Sequence, residues 1–147
     1  MYKFPLRAVL NHRKFLEETL QKELGLLKKV LLDETKKLSD IKKDRTKISM
    51  ELQKKQKGCI NISETLTYVR YIEQLSKQLE RQKETVLDVE KDVNLKREEL
   101  MSAIKNRKML EKLKENGYSI YKNKLLRDEQ NFINEMASVR FKHVMPD

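Results

Sequence analysis

Leucine and isoleucine recur every seven residues through the first 52 positions of the chain, and charged residues fill most of the intervening positions. Two series, offset by three or four residues, make up this pattern, and ten of their fourteen members are apolar. The first series is Leu10, Glu17, Leu24, Leu31, Leu38, Arg45 and Leu52, and the second is Leu6, Arg13, Leu20, Leu27, Glu34, Ile41 and Ile48. A repeat of this kind predicts a long helix whose apolar seam requires a coiled-coil partner.

The repeat stops near Gly58 and then resumes. Gly58 is typical of the end of a helix, and Asn61 followed by Glu64 is typical of a capping box that opens the next one. The resumed seam contains Ile72, Leu79, Val86, Val93 and Leu100 in one series and Tyr68, Leu75, Val89, Ala103 and Leu110 in the other, with polar breaks at Gln82 and Lys96. A short turn between two matched repeats favours an antiparallel helical hairpin. The alternative, a parallel coil between two chains, would have to continue straight through Gly58.

We therefore predict an all-α fold, a long antiparallel two-helix coiled-coil hairpin whose second helix is longer than the first. Residues 1–147 form a single domain in this prediction, with helix 1 at about 5–56, a turn at about 57–62 and helix 2 at about 63–142. If the chain folds back near residue 60, Leu6 lies close to residue 114 and the rest of helix 2 has no cover.

That uncovered part has an apolar stripe of its own. It runs through Tyr118, Leu125, Phe132 and Val139, follows Gly117, and is displaced by four residues from the earlier seam. An apolar stripe without cover predicts a surface for a partner or for self-association. The alternative is that helix 1 slides along helix 2 and covers part of it.

Charge and composition exclude several classes of protein. The net charge is +10, and residues 1–57 carry 16 basic against 8 acidic residues, but acids interrupt nearly every basic run, which favours a solvated helix surface. The basic residues ahead of the first heptads are too sparse for a basic zipper, so no nucleic-acid partner is expected. No apolar run approaches a membrane span, so no direct membrane insertion is expected. The single cysteine, Cys59, excludes an internal disulfide, favours a reducing cytoplasm and is expected to be an inert thiol in the turn.

Catalytic and metal-binding patterns are missing from the sequence. The two histidines, His12 and His143, lie at opposite ends of the chain, and no Cys or His pair has metal-ligand spacing. There is no phosphate-binding glycine loop, and a two-helix hairpin offers no concave pocket for a nucleophile and its base. We expect a protein that is not an enzyme and has no catalytic residue, metal or cofactor.

Three stretches of the chain resemble the FliJ family, a coiled-coil component of the flagellar type III export apparatus. The N-terminal stretch has Phe4, Leu6, Val9, Leu10 and Arg13 in the family's spacing, and the start of helix 2 has Tyr68, Tyr71, Ile72 and Leu75. The C-terminal stretch begins with Leu110, Glu111, Lys112 and Leu113 and continues with Tyr121, Arg127, Glu129, Gln130, Glu135 and Arg140. The chain departs from the family at Asn134, where Asp is common.

The resemblance implies a helical hairpin similar to part of the γ subunit of rotary ATPases. It implies a stalk that inserts into the ring of the hexameric export ATPase and promotes its assembly and activity. It also implies binding to the cytoplasmic domain of the export-gate membrane protein and to substrate-specific export chaperones. The expected place is the cytoplasm, peripherally at the inner face of the cell membrane at the flagellar base, as a monomer or with weak self-association.

The resemblance also assigns residues to these partners. The ATPase-binding set is Leu10, Arg13, Tyr118, Tyr121, Leu125, Arg127, Phe132 and Val139. The export-gate set is Tyr71, Leu75, Gln78 and Gln82, with Ile41 and Ile48 opposite on helix 1. Two alternatives share the fold: a coupling stalk of a virulence-type secretion system, and a structural scaffold coiled coil with no motor partner.

Overall fold

The computed structural model describes residues 1–58 and 61–144, with side chains up to residue 143. Within these ranges the chain forms two helices and no strand: α1 spans Arg7–Gln56, 50 residues, and α2 spans Ile62–Val144, 83 residues. The two helices pack against each other as a helical hairpin, and the second is the longer. The predicted fold class is confirmed. Cys59 lies outside the described residues.

Local sequence signals set the beginning of each helix. Before α1, the amide of Arg7 donates to the carbonyl of Phe4 at 3.2 Å, so a turn leads into the helix. At the start of α2, the Asn61 side-chain oxygen accepts a hydrogen bond from the Ser63 amide at 3.1 Å, which caps one of the otherwise unpaired helix donors. Glu64, predicted to complete the capping box, lies instead 3.6 Å from the ammonium of Lys55.

Contacts divide the chain into two compact units, and the prediction of a single domain stays a prediction. Unit 1 comprises Met1–Glu18 and the chain from Met101 onward, and unit 2 comprises Thr19–Leu100. In unit 2, Glu23 pairs with Lys96, Glu34 with Gln82 and Lys55 with Glu64. Partner numbers on α2 fall as numbers on α1 rise, so the pairing within this unit is antiparallel.

The predicted seam is the core of each unit. Every seam position of α2 is buried or half-buried, and the core of unit 2 contains Leu24, Leu75, Leu79, Val86 and Val93. In unit 1 the seam leucine Leu10 is only 2% exposed. Two of the seam positions on the first part of the chain are exposed: Leu6, which precedes α1, and Arg45, which lies well inside it.

Candidate interaction surfaces

The first candidate surface lies in unit 2 and is built around two tyrosines near the start of α2. Tyr68 occupies a seam position and is half-buried, with the ammonium of Lys55 4.8 Å from its ring centroid. Hydrogen bonding with the Tyr68 side chain, reinforced by the charge of Glu64, raises the pKa of Lys55. Tyr71 lies at the flank of the seam and remains 44% exposed. An exposed ring held on a helix is an efficient anchor for a partner, because it buries a large area while few rotatable bonds are frozen.

The other residues assigned to this surface differ widely in exposure. Leu75 is only 5% exposed, and Ile41 and Ile48 are half-buried, so these three side chains mainly form the core beneath the surface. Gln78 is exposed on the same helix as Tyr71. A partner that approached this face would therefore meet Tyr71 and Gln78 first.

Gln82 connects the two helices of unit 2 through hydrogen bonds to Glu34. Its side-chain nitrogen donates to the backbone carbonyl of Glu34 at 2.9 Å and to the Glu34 carboxylate at 2.5 Å. The hydrogen bond from Gln82 is the main reason that the pKa of Glu34 lies below its usual value, and Lys37 adds to the effect. The polar break at Gln82 thus fixes the alignment of the two helices, which is a known use of polar residues in coiled-coil seams.

The second candidate surface lies in unit 1, where the N-terminal segment packs on α2. The ring of Tyr2 contacts the rings of Tyr118 and Tyr121, with centroids 6.0 and 5.5 Å apart. The ammonium of Met1 donates to the Tyr121 hydroxyl at 3.2 Å. Because of these contacts Tyr121 is half-buried, whereas Tyr118 keeps 53% of its surface exposed.

Gly117 makes this packing possible. A Cβ atom at position 117 would clash with the hydroxyl of Tyr2 and lie 3.1 Å from the carbon that carries it. Gly117 has a helical backbone with no positive φ, and α2 continues through it without a break. The glycine therefore leaves room for the Tyr2 ring, and it does not form a turn.

Unit 1 also contains a partly buried network of ion pairs. Glu17, which is 9% exposed, accepts a hydrogen bond from the Arg107 guanidinium, and Glu111 accepts a second at 2.9 Å. These two carboxylates raise the pKa of Arg107, with the larger effect from Glu17. Leu10 is buried in the same unit, so it packs in the core and has almost no surface for a partner to contact. Arg13 is half-buried.

Beyond Tyr121, α2 presents apolar side chains that no other described part of unit 1 covers. Every residue from 122 to 143 is exposed, and we call this segment the open stretch. It contains three of the predicted stripe residues, Leu125, Phe132 and Val139, at 45%, 64% and 63% exposure, and the predicted cation Arg127. Met136, at 47% exposure, lies at the spacing that places it on the same helix face as these three residues.

Sequence reasoning missed three participants in unit 1: Tyr2, Arg107 and Met136. The predicted fold-back near residue 60 already places residue 2 opposite residue 118, so the aromatic pairing could have been found from the chain numbering. The same numbering places residue 103 opposite Glu17, and Arg107 is the basic residue one helical turn beyond it. Met136 completes the i, i+4, i+7 spacing with Phe132 and Val139.

The structure also bears on membranes and metals. Within residues 1–58 and 61–144, no helix is both long enough and apolar enough to cross a membrane. The same ranges contain no group of three or more Asp, Glu, His or Cys side chains placed to hold a metal ion.

Comparison with known proteins identifies the family. The sequence matches the family described as the flagellar FliJ protein over residues 2–145, nearly the whole chain. No curated protein and no solved structure matched. The match includes all three stretches whose residues resemble the family. The chain therefore belongs to the FliJ family, and it is a component related to flagellar protein export.

Proposed function

We propose that this protein is a non-catalytic stalk of the flagellar export apparatus that inserts its open stretch into the ring of the hexameric export ATPase. In this proposal it promotes assembly and activity of the ring, and it links the ATPase to the export gate and to substrate chaperones. It acts in the cytoplasm, at the inner face of the membrane at the flagellar base.

The observation that carries the proposal is the exposed apolar face of the open stretch. Leu125, Phe132 and Val139 share one face of α2 and are between 45% and 64% exposed. Contiguous apolar surface of this kind marks an interaction site, since leaving it in water is unfavourable by roughly 25 cal/mol per Å². Arg127 and Arg140 add positive charge to the same segment.

Tyr118 and Tyr121 lie at the base of this proposed ATPase-binding surface. Both rings contact Tyr2, so the N-terminal segment holds them in place, while Leu10 supports the unit from its core. Arg13 remains half-exposed and is the contact that we propose from α1.

The gate function is assigned to another surface. We propose that the export-gate membrane protein contacts the face of Tyr71 and Gln78, with Leu75, Gln82, Ile41 and Ile48 beneath it. The partial exposure of the Tyr71 ring supports this assignment.

Steady-state ATP hydrolysis by the cognate export ATPase tests the proposal. The double variant Leu125→Asp/Phe132→Asp should lose the stimulation that the wild-type protein gives, because two carboxylates would replace the apolar contact. Tyr71→Ala should keep the stimulation. The matched control is Leu32→Asp/Leu95→Asp, which places the same charges at exposed leucines outside both surfaces.

Each outcome has a clear meaning. Loss only in the Leu125/Phe132 variant supports insertion of the open stretch. Equal loss in the Leu32/Leu95 control would show that added negative charge alone is responsible. Absence of stimulation by folded wild type, at concentrations well above that of the ATPase, would overturn the proposal in favour of a scaffold coiled coil.

A further inference from the structure

Arg45 is a cation in the seam of α1 that has no hydrogen-bond or ion-pair partner among the described residues. The other charged positions of the unit 2 seam are satisfied: Lys96 lies 2.5 Å from a carboxylate oxygen of Glu23, and Glu34 accepts the hydrogen bond from Gln82. The guanidinium of Arg45 forms no hydrogen bond or ion pair with any described residue, and the side chain is exposed. The leucines one heptad before and after it, Leu38 and Leu52, are half-buried.

The unpaired arginine lines a groove between the two helices of unit 2. The groove has a volume of about 580 Å³, and its charged lining residues are Lys42, Arg45 and Lys83, with no carboxylate among them. Met50 and Leu79 form apolar wall, and hydroxyl and amide side chains complete the lining. An adjacent groove on α1, whose cations are Lys42, Lys43 and Lys47, likewise contains no carboxylate, so the whole of this face is basic.

The charge around the groove reinforces its preference for anions. Residues 36–57 carry nine basic and three acidic residues. The contact of Lys83 with Glu80 is exposed on both sides and 3.6 Å long, so it is weak and easily exchanged. A carboxylate that enters the groove meets a positive field that the chain does not neutralise.

We propose that this groove binds an acidic polypeptide segment, with carboxylates on Arg45, Lys42 and Lys83 and an apolar side chain on Met50. Methionine adapts its shape to a contacting apolar group and is 58% exposed here. A free phosphate would leave Met50 uncovered. The same groove of a second copy would bring the same positive charge and be repelled. The site shares no residue with the Tyr71 face or the open stretch, and it does not depend on the function proposed above.

Fluorescence anisotropy with a short labelled peptide, in which glutamates alternate with leucines, tests the assignment. Arg45→Gln should weaken binding about tenfold, the equivalent of one charge-assisted contact of about 1.4 kcal/mol, and Lys83→Gln should weaken it less. Arg45→Leu should abolish most binding while keeping the helices paired, because leucine is the residue that the heptad pattern favours. Binding should fall as salt is raised.

Controls separate the groove from net charge. Lys28→Gln/Lys29→Gln removes two exposed cations of α1 outside the groove and should leave the affinity unchanged. Equal weakening in this control and in Arg45→Gln would overturn the proposal, since charge alone would then explain binding.

Two further probes test the chemistry of the ligand. The same peptide with glutamine in place of glutamate should not bind, and undiminished binding would overturn the role of the cations. Inorganic phosphate and vesicles containing phosphatidylglycerol are the competing anions. Binding of either one that is lost in Arg45→Gln, without binding of the acidic peptide, would overturn the assignment to a polypeptide.

Discussion

Two parts of α2 each have apolar residues spaced seven apart, in registers that differ by four residues, and they lie in opposite environments. In residues 72–100, which we call the covered stretch, Leu75, Leu79, Val86 and Val93 are at most 8% exposed. In the open stretch, residues 122–143, no side chain is even half-buried. Periodicity therefore determines which side chains share a helix face, whereas the presence of an opposing helix determines whether that face is covered. The same apolar pattern stabilises the fold in one place and is available to a partner in the other.

The largest expected difference between the two stretches is the effect of a Leu→Ala substitution on the free energy of unfolding. Leu79→Ala should lower the free energy of unfolding by about 2–5 kcal/mol, because it leaves a cavity at a site that is 4% exposed. Leu125→Ala should change it by less than about 0.5 kcal/mol, since that side chain is 45% exposed. Urea unfolding followed by circular dichroism measures both. Similar losses would mean that the open stretch is covered in solution.

The polar contacts allow a second comparison, between a buried pair and an exposed one. A double-mutant cycle with Glu17→Gln and Arg107→Gln should give a clear coupling free energy, because the Glu17 side chain is 11% exposed. The same cycle on Glu80 and Lys83, at 74% and 45% exposure, should give no measurable coupling. Urea midpoints of the four proteins in each cycle provide the measurement. Equal coupling in the two cycles would contradict the role of burial.

The pH dependence of stability tests the contact between Gln82 of the covered stretch and Glu34. The pKa of Glu34 is lowered by Gln82, so the stability from this contact is present above the usual carboxyl pKa and is lost as the pH falls through the lowered value. Gln82→Leu should therefore destabilise the protein more at pH 7 than at pH 3. Gln78→Leu, an exposed glutamine on the same helix, is the control and should show no such difference.

Lys96 should affect the alkaline side of the dependence of stability on pH. Its pKa is raised, mainly by Glu23, so its contribution is present below the usual lysine pKa and is lost as the pH rises through the raised value. Lys96→Met should bring the stability of the protein at pH 7 closer to that at strongly alkaline pH. A difference between the two pH values that stays as large as in wild type would show that other groups control the alkaline arm.

The smallest expected effect concerns Gly117. Alanine is favoured over glycine inside a helix by about 1 kcal/mol, but here its Cβ would clash with Tyr2. Gly117→Ala should therefore be nearly neutral in wild type, and it should stabilise a Tyr2→Ala protein by up to about 1 kcal/mol. Thermal unfolding of the four proteins measures the difference. Equal stabilisation in both backgrounds would mean that Tyr2 does not occupy this space.

Much of the fold follows from the sequence because a heptad repeat encodes both the helix and the face that it buries. Leu79 and Val93 are core residues in the positions that the repeat predicts. The same reasoning places Leu125 and Phe132 beyond the reach of α1, because the first helix contains too few residues to cover the second.

The remaining features depend on contacts that a repeat does not encode. Tyr2 precedes α1, so no heptad position assigns it a place. Gly117 looks like a break in the pattern until the ring that it accommodates is known. Arg45 has the same seam position as the leucines around it, and only its lack of a partner in three dimensions shows that it lines a groove.

The contact between Gly117 and Tyr2 has a consequence for the evolution of the family. Since a Cβ atom at position 117 would enter the space of the Tyr2 hydroxyl, we expect the two positions to vary together. Relatives that have alanine or serine at the position of Gly117 should have a smaller residue at the position of Tyr2, and relatives with a large ring there should retain glycine. Two residues that lie 115 positions apart in the sequence would then covary among members of the family.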